Sequence, residues 1–245
     1  MNSHSGSLPN ILFEDSRIIA FDKPSGLLVA PDRWDKDRPN LMALIHERYS
    51  PDCFNAHRLD AATSGVLLCA RDKAALKELA AQFETRSIRK RYLALVRGAP
   101  ARDESVIDAP LAEDPARPGA MLVAGGGKAA VTRVAVIERF RGWSLVEAWP
   151  QTGRTHQVRA HLAHVGCPIV CDPLYGNVAP LFLSRLKPGY RQTKQVETPL
   201  MGRLALHAER IEFINPSDGM ERAVLSPMPR DFEIALKYLR RFAPA

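Results

Sequence analysis

The sequence predicts an α+β fold. Short apolar runs typical of strands outnumber the amphipathic segments, which occur only near residues 41, 72, 154 and 231. With 245 residues, 46% of them hydrophobic and 25% charged, the chain can bury a sizeable core as one large domain or as two closely packed lobes. A strand-rich chain with a few separate helices belongs to the α+β class.

The chain carries a formal net charge of +7 at pH 7. A polyanion is the first partner to consider, because lysine and arginine displace counterions from a phosphate backbone, although many soluble proteins are mildly basic. The four cysteines do not form the dense framework of a small secreted domain. No signal-peptide core or membrane-length apolar stretch is present, so we expect a cytoplasmic protein without membrane contact, and a monomer by default.

Residues 1–10 are rich in Ser and Gly and are expected to form a flexible leader, ahead of one domain at residues 11–245. Short strands are predicted near residues 11 and 18. The turn Lys23-Pro24-Ser25-Gly26 follows and leads into a further strand at 27–29. Lysines beside such turns are usually solvated.

Two amphipathic helices are predicted in the first half of the chain. Residues 41–49 place Leu41, Leu44 and Ile45 on one face. A second helix is expected to be capped by Asp72 and to run to about residue 86, because apolar residues recur there at helical spacing.

The stretch from His57 to Gly65 combines an arginine, an aspartate and a Thr-Ser-Gly turn just before the apolar run 66–70. Two interpretations compete. Aspartates before Ser, Thr and Gly often form turns by bonding their own backbone. Alternatively, the Asp60 carboxylate is held on rigid structure at the end of a sheet, with Arg58 supplying positive charge nearby.

Cations at residues 86–91 lead into a strand that reaches residue 96. Alternation along this strand places Tyr92, Ala94 and Val96 on one face. The cations form either a solvated turn or an edge that contacts phosphates. Further on, residues 99–128 predict two short strands, and residues 129–149 predict an antiparallel hairpin around Arg141-Gly142.

Residues 151–162 read Gln-Thr-Gly-Arg-Thr-His-Gln-Val-Arg-Ala-His-Leu. A helix is expected to begin at Thr152 or Gly153 and to stop at Gly166. Its apolar face would consist of Val158, Leu162 and Val165.

Three histidines and two cysteines lie close together in sequence, namely His156, His161, His164, Cys167 and Cys171. Zinc ligation has to be considered for such a set. However, the spacing is poor, because His161 and His164 lie on the predicted helix and the cysteines straddle an apolar segment, whereas structural zinc sites use tight pairs. We therefore predict no metal site.

A basic, proline-containing insertion occupies residues 177–201. It is either a loop that recognises the substrate or a solvent-exposed loop without such a role. Its cations are Arg185, Lys187, Arg191 and Lys194. Strands near residues 211 and 223 and a last helix, capped by Asp231 and reaching Phe242, complete the predicted elements.

Three of these stretches, in this order, resemble the motifs of the RluA family of pseudouridine synthases. They are His-Arg-Leu-Asp-Ala-Ala-Thr-Ser-Gly at 57–65, Lys-Arg-Tyr-Leu-Ala-Leu-Val at 90–96 and Gly-Arg-Thr-His-Gln-Val-Arg-Ala-His-Leu at 153–162. The resemblance implies the pseudouridine synthase fold, a mixed, largely antiparallel central sheet flanked by helices with the active cleft across it. The sequence is similar to the short form of the family, which lacks an N-terminal RNA-binding module.

Two further segments are similar to the same family. The Lys23-Pro24-Ser25-Gly26 turn matches the opening of the catalytic domain, which gives Lys23 a second possible role near RNA. Cys-Asp-Pro-Leu-Tyr-Gly at 171–176 resembles the family's Gly-Asp-x-x-Tyr-Gly, with Cys171 in place of the first glycine.

The resemblance implies roles for four residues. Asp60 is the expected catalytic residue, acting either by attack at C1′ or by removing the C2′ proton. Arg58 helps to hold or replace the flipped base, Tyr92 stacks on the uracil, and Arg159 pairs with Asp60 and keeps it ionised. No cofactor is expected, and the partner is structured RNA, with ribosomal RNA favoured over transfer RNA.

Two other functions remain open at this point. A glycosidase would use Asp60 with a second carboxylate, for which Glu147 and Asp172 are the candidates. A non-catalytic RNA-binding protein would use the same basic surface without forming a product.

Overall fold

The structure, a computed structural model, describes residues 8–31, 38–176, 179–192 and 195–245. Residues 1–7, most of the expected leader, therefore lie outside the described part. The chain forms two compact units, one of residues 1–90 with 208–227 and the other of residues 91–207 with 228–245. Each unit is described below by itself, and the assignment of residues 11–245 to one catalytic domain stays a prediction.

The described part contains twelve strands and four α-helices. The strands are β1 (Ile11–Glu14), β2 (Ile18–Lys23), β3 (Phe54–Asn55), β4 (Ser64–Ala70), β5 (Arg89–Arg97), β6 (Glu104–Asp108), β7 (Leu111–Glu113), β8 (Met121–Val123), β9 (Val131–Phe140), β10 (Trp143–Pro150), β11 (Leu206–Ile214) and β12 (Glu221–Leu225). The helices are α1 (Leu41–Arg48), α2 (Lys73–Glu84), α3 (Gln157–His164) and α4 (Arg230–Phe242).

In the first unit the strand order is β1-β2-β4-β11, with β12 paired to β11 and β3 paired to β4. All seven residues of β4 are buried, which explains why its sequence from Val66 to Ala70 is continuously apolar rather than alternating. Helix α2 packs Ala75 and Leu79 into the core formed with β4 and β11. Its N-terminus is capped by Asp72, whose side chain accepts a hydrogen bond from the Ala75 amide at 2.7 Å, as predicted.

In the second unit the strands follow the order β5-β10-β9-β6, and each adjacent pair is antiparallel. Strands β7 and β8 form a small separate sheet beside α3. Helix α3 is fixed to β9 because Gln157 and His161 both hydrogen-bond to the Thr132 hydroxyl, at 3.0 and 2.9 Å. The predicted α+β class is confirmed by these elements, whereas the cleft across the sheet stays a prediction.

Helix α3 begins later than predicted. Its first residue is Gln157, and the preceding residue His156 adopts a left-handed conformation with φ of 52°. The Gln157 side chain explains this start, because its Oε1 accepts from the Thr152 hydroxyl at 2.7 Å and from the Arg154 amide at 3.0 Å and so folds the preceding segment into turns. The prediction that Val165 belongs to the buried apolar face of the helix is also wrong, since that residue is 46% exposed.

Two smaller predictions are also wrong. The strand expected at residues 27–29 is reduced to one bridge between Leu28 and Asn40. Asp231 is not the N-cap of α4, because the helix begins at Arg230 after Pro229 and the Asp231 carboxylate is bound by Arg203 at 2.6 and 2.9 Å. None of the helices in the described residues is long and apolar enough to cross a membrane.

Candidate active site

Asp60 lies on the loop that leads into β4. The loop closes on itself through a hydrogen bond from the Thr63 amide to the Asp60 carbonyl at 3.0 Å. Leu59 is buried, whereas Asp60 is half-buried and Arg58 is exposed. Gly65 then takes φ of 118°, and a Cβ at this position would lie 2.1 Å from the Ala208 carbonyl oxygen, so glycine is required for strand β4 to approach β11.

The turn after β2 clamps the Asp60 loop. Lys23 is fully buried, and its Nζ donates to the carbonyls of Pro24, Leu27 and Ala61 at 2.9, 2.7 and 3.0 Å. The Gly26 amide donates to the same Ala61 carbonyl at 2.8 Å, and the Ser25 hydroxyl donates to the Ala62 carbonyl at 2.6 Å.

Both sequence-based expectations for Lys23 are therefore wrong, because the side chain is neither solvated nor presented to a ligand. A buried ammonium group is costly unless oxygen atoms replace its water shell. Here three carbonyls do so, and one of them belongs to the residue next to Asp60.

His57, the first residue of the motif, is a structural residue. Its Nε2 accepts a hydrogen bond from the Leu68 amide at 3.0 Å, and its ring lies 5.4 Å from that of Phe83. Desolvation, with a smaller contribution from Lys90, lowers the pKa of His57 to about 3. The ring is therefore neutral near pH 7, and His57 is not a proton donor in this state.

The first two cations of β5, Arg89 and Lys90, are engaged within the first unit. Arg89 forms ion pairs with Glu212 at 3.0 Å and Glu221 at 2.7 Å. Lys90 lies 5.9 Å above the Phe83 ring, and desolvation lowers its pKa. These contacts favour a structural role over the phosphate-contacting edge that the sequence left open.

Tyr92 lies on the face of the second unit's sheet that α3 covers. Tyr92 lies opposite Ala148 on β10, and Ala148 lies opposite Val134 on β9. Val134 is two residues from Thr132, whose hydroxyl is contacted by α3. Side chains two residues apart on a strand share a face. Tyr92 is half-buried, so part of its ring is accessible.

Arg159 forms a buried bidentate ion pair with Asp172. The Nε and Nη2 atoms each lie 2.8 Å from a carboxylate oxygen, with side-chain exposures of 4% for Arg159 and 0% for Asp172. Asp172 also accepts hydrogen bonds from the amides of Leu174 and Tyr175. Two parallel charge-assisted bonds fix the guanidinium plane, so the orientation of Arg159 is set within its own unit.

Tyr175 completes this cluster. The Arg159 guanidinium carbon lies 5.2 Å from the centre of the Tyr175 ring. The Tyr175 hydroxyl accepts from the Met121 amide at 2.6 Å and lies 3.1 Å from Nδ1 of His156. The segment 171–176 therefore supports Arg159, a role that sequence reasoning missed.

Neither carboxylate considered for a glycosidase is suited to act as a general acid. Asp172 has no exposed side-chain surface and uses both oxygens in the ion pair with Arg159. Glu147 is bound to Arg91 at 3.3 Å. A second catalytic carboxylate, which glycosidases usually need, is thus not supplied by either residue.

The histidines and cysteines considered for zinc do not form a common site. Both ring nitrogens of His161 are used, by the Thr132 hydroxyl and the Ala109 carbonyl, each at 2.9 Å. Throughout the described ranges, no group of three or more His, Cys, Asp or Glu side chains is placed to hold a metal ion.

The four predicted site residues are divided between the two units. Arg58 and Asp60 belong to the first, whereas Tyr92 and Arg159 belong to the second. Sequence reasoning did not find Lys23 or Asp172 as supports of Asp60 and Arg159. The only signals were the Lys-Pro-Ser-Gly turn and the Asp-Pro-Leu-Tyr-Gly segment, which carry no indication of the atoms they bind.

Comparison with known proteins adds a family assignment to this geometry. The sequence model of the family described as RNA pseudouridylate synthase matches residues 17–164. Ribosomal large subunit pseudouridine synthase D of Xanthomonas campestris is 37% identical over 235 residues, which cover 94% of this chain and 69% of that protein. Dual-specificity RNA pseudouridine synthase RluA of Salmonella typhi is 36% identical over 224 residues, covering 91% of this chain and 93% of that protein.

Solved structures give the same result for the fold. Human RNA pseudouridylate synthase domain containing 4 superposes with a TM-score of 0.73 at 29% identity, over 94% of this chain and 93% of that chain. Human RNA pseudouridylate synthase domain containing 1 superposes with a TM-score of 0.71 at 27% identity, over 94% and 87% of the two chains.

Proposed function

Because the chain belongs to the RluA family of RNA pseudouridine synthases, we propose that it converts specific uridines of structured RNA into pseudouridine through Asp60. The observation that carries this proposal is the fixed loop of Asp60, whose neighbours Ala61 and Ala62 are bound by the buried turn at Lys23–Gly26. A carboxylate on such a loop is positioned for catalysis without rearrangement.

The reaction breaks the N1–C1′ bond of uridine, turns the uracil and joins C5 to C1′. The C5 proton is then lost and N1 gains a proton, so the product is an isomer and the electrons balance without an oxidant. Asp60 acts in one of two ways. Either its carboxylate attacks C1′ as uracil leaves and is later displaced by C5, or it removes the C2′ proton as uracil leaves, giving a glycal, and the proton returns to C2′ when C5 adds to C1′.

The other three residues handle the base and the carboxylate. The target nucleotide must leave its stack, because its reacting atoms are not accessible inside a helix. The exposed Arg58, two residues from Asp60, is suited to hold or replace the flipped base. Tyr92 stacks on the uracil, and Arg159, oriented by Asp172, pairs with the Asp60 carboxylate and holds it in place.

We further propose ribosomal RNA as the substrate, acted on by a cytoplasmic monomer. Two relatives named ribosomal large subunit pseudouridine synthase D, from Xanthomonas campestris and Pseudomonas aeruginosa, support the choice of RNA. Transfer RNA is the alternative, since the Salmonella typhi relative is named a dual-specificity RNA pseudouridine synthase, a name that fixes no single class of RNA.

The proposal is tested with unmodified transcripts of ribosomal and transfer RNA. Each is incubated with wild type, with Asp60→Asn and with Asp52→Asn, the same change at an exposed aspartate of the same unit. Nucleoside mass spectrometry is expected to find pseudouridine with wild type and Asp52→Asn only. Free uracil in place of pseudouridine would indicate a glycosidase, and bound RNA without any product would indicate a binding protein.

A further inference from the structure

The C-terminal helix and the basic insertion together form a cluster that the proposed reaction does not use. It consists of Arg141, Lys187, Tyr238, Arg241 and Phe242, all in the second unit. We refer to these five residues as the aromatic-basic cluster. Two are aromatic, three are cationic, and they come from three separate segments of the chain.

The two rings of the cluster stack on each other. Tyr238 and Phe242 are one helical turn apart on α4, and their rings are 6.1 Å apart with an angle of 10° between the planes. Both residues are only half-buried, whereas Phe232, Leu236 and Leu239 on the same helix are buried in the core. The core face of α4 is therefore complete without Tyr238 and Phe242.

Three cations surround Phe242. The Arg241 guanidinium carbon lies 5.2 Å and the Lys187 Nζ 6.0 Å from the centre of its ring. The Arg141 guanidinium donates to the Phe242 carbonyl oxygen at 2.9 Å. Among the described residues no carboxylate forms an ion pair with these three cations, whereas the adjacent Arg240 is bound to Glu138 at 2.7 Å. These three cations therefore have no ion-pair partner within the described residues.

The cluster is held on fixed structure. The end of α4 is joined to the β9–β10 hairpin by the bridge between Phe140 and Pro244 and by a hydrogen bond from the Arg141 amide to the Ala243 carbonyl at 2.9 Å. Lys187 follows a short 3₁₀ turn at Leu183–Arg185, and its amide donates to the Leu183 carbonyl at 2.9 Å. Partly exposed rings on such a frame keep a constant position relative to the cations.

We propose that the aromatic-basic cluster is a second RNA-contacting surface, which binds phosphates through its cations and stacks an unpaired base on Tyr238 or Phe242. Stacking on aromatic rings flanked by cations is how proteins bind single-stranded segments without reading sequence. This inference rests on the proposed function only in taking RNA as the substrate. It assigns a role to the basic insertion, whose Lys187 would otherwise be an unexplained surface charge.

The test measures binding of wild type and Lys187→Ala/Arg241→Ala to a fluorescent stem-loop RNA with an unpaired uridine-rich loop, at several salt concentrations. Loss of two phosphate contacts should lower the salt slope by about 1.4 and weaken binding about 25-fold at 0.1 M salt. The control is Lys73→Ala/Lys77→Ala, which removes two exposed lysines of α2. It is expected to bind like wild type.

Stacking is tested separately from charge. Phe242→Leu keeps an apolar side chain and all three cations, so it should weaken binding while leaving the salt slope unchanged. Ultraviolet crosslinking to the same RNA should label the peptide that contains Tyr238 and Phe242.

The inference is overturned if Lys187→Ala/Arg241→Ala binds the RNA as tightly as the control Lys73→Ala/Lys77→Ala. It is also overturned if no crosslink falls on α4. Either result counts even when wild type forms pseudouridine. Circular dichroism of every variant, compared with wild type, separates lost binding from lost folding. Conversely, if wild type forms no pseudouridine but the cluster variants lose RNA binding, the cluster stands and the proposed reaction fails.

Discussion

At the scale of single residues, the candidate site depends on buried side chains that hold the backbone around Asp60. The Lys23 ammonium group donates hydrogen bonds to three backbone carbonyls, one of them that of Ala61. His57 accepts the Leu68 amide and stays neutral. Both stand in motif segments, and both act by fixing the backbone on either side of Asp60.

Replacing Lys23 tests this positioning role. Lys23→Met keeps most of the side-chain length but leaves buried carbonyls without a donor, so the free energy of unfolding should fall by about 2–3 kcal/mol. In protein that remains folded, the turnover rate should fall more than the affinity for RNA. Urea denaturation and single-turnover kinetics measure the two effects. Lys73→Met, at an exposed lysine of α2, should change neither.

The pKa of His57 predicts how stability depends on pH. Its folded value of about 3 is below the value of 6.5 for a free histidine, so the unfolded state binds the proton first and stability falls as the pH drops below about 6.5. Between pH 7 and pH 5 this histidine contributes a loss of at most about 2 kcal/mol.

The measurement is urea denaturation of wild type, His57→Gln and His164→Gln at both pH values. His57→Gln should reduce the pH-dependent loss, and His164→Gln, at an exposed histidine, should retain it. An equal loss in all three proteins would mean that His57 is not the group responsible.

At the scale of elements, α3 is organised by contacts that its own periodicity does not encode. Gln157 sets the start of the helix by folding the preceding turn, and Arg159 is fixed by Asp172 beyond the helix end. Cys171, which stands where the family pattern has glycine, takes φ of 60°, a left-handed conformation that glycine adopts readily.

The contributions of Arg159 and Asp172 to the free energy of unfolding are expected to be coupled. Asp172→Asn leaves a buried guanidinium without its counter-charge and should lower the free energy of unfolding by about 3–5 kcal/mol. The double variant Arg159→Leu/Asp172→Leu removes both charges and should cost clearly less than the sum of the single Leu variants. A double-mutant cycle from urea denaturation measures this difference, and additive effects would argue against the pair.

At the scale of the whole molecule, the order and type of most elements follow from apolar periodicity, as for the buried run of β4 and the capped helix α2. The catalytic candidates follow from the motifs. The supports of Asp60 and Arg159 do not, since Lys23 binds carbonyl oxygens, which every residue has, and the Arg159–Asp172 pair depends on a turn that no spacing rule predicts. The stacking of Tyr238 and Phe242 follows from helical spacing, but the approach of Lys187 does not.

The most direct test of the central claim is a single-turnover measurement on RNA that carries deuterium at C5 of uridine. Joining C5 to C1′ releases this label, so deuterium release should match pseudouridine formation one to one with wild type. Asp60→Asn should slow both by at least about 10³-fold, equivalent to about 4 kcal/mol of barrier, while Asp52→Asn keeps the wild-type rate. Label release at the wild-type rate from Asp60→Asn would contradict the assignment of Asp60 as the catalytic residue.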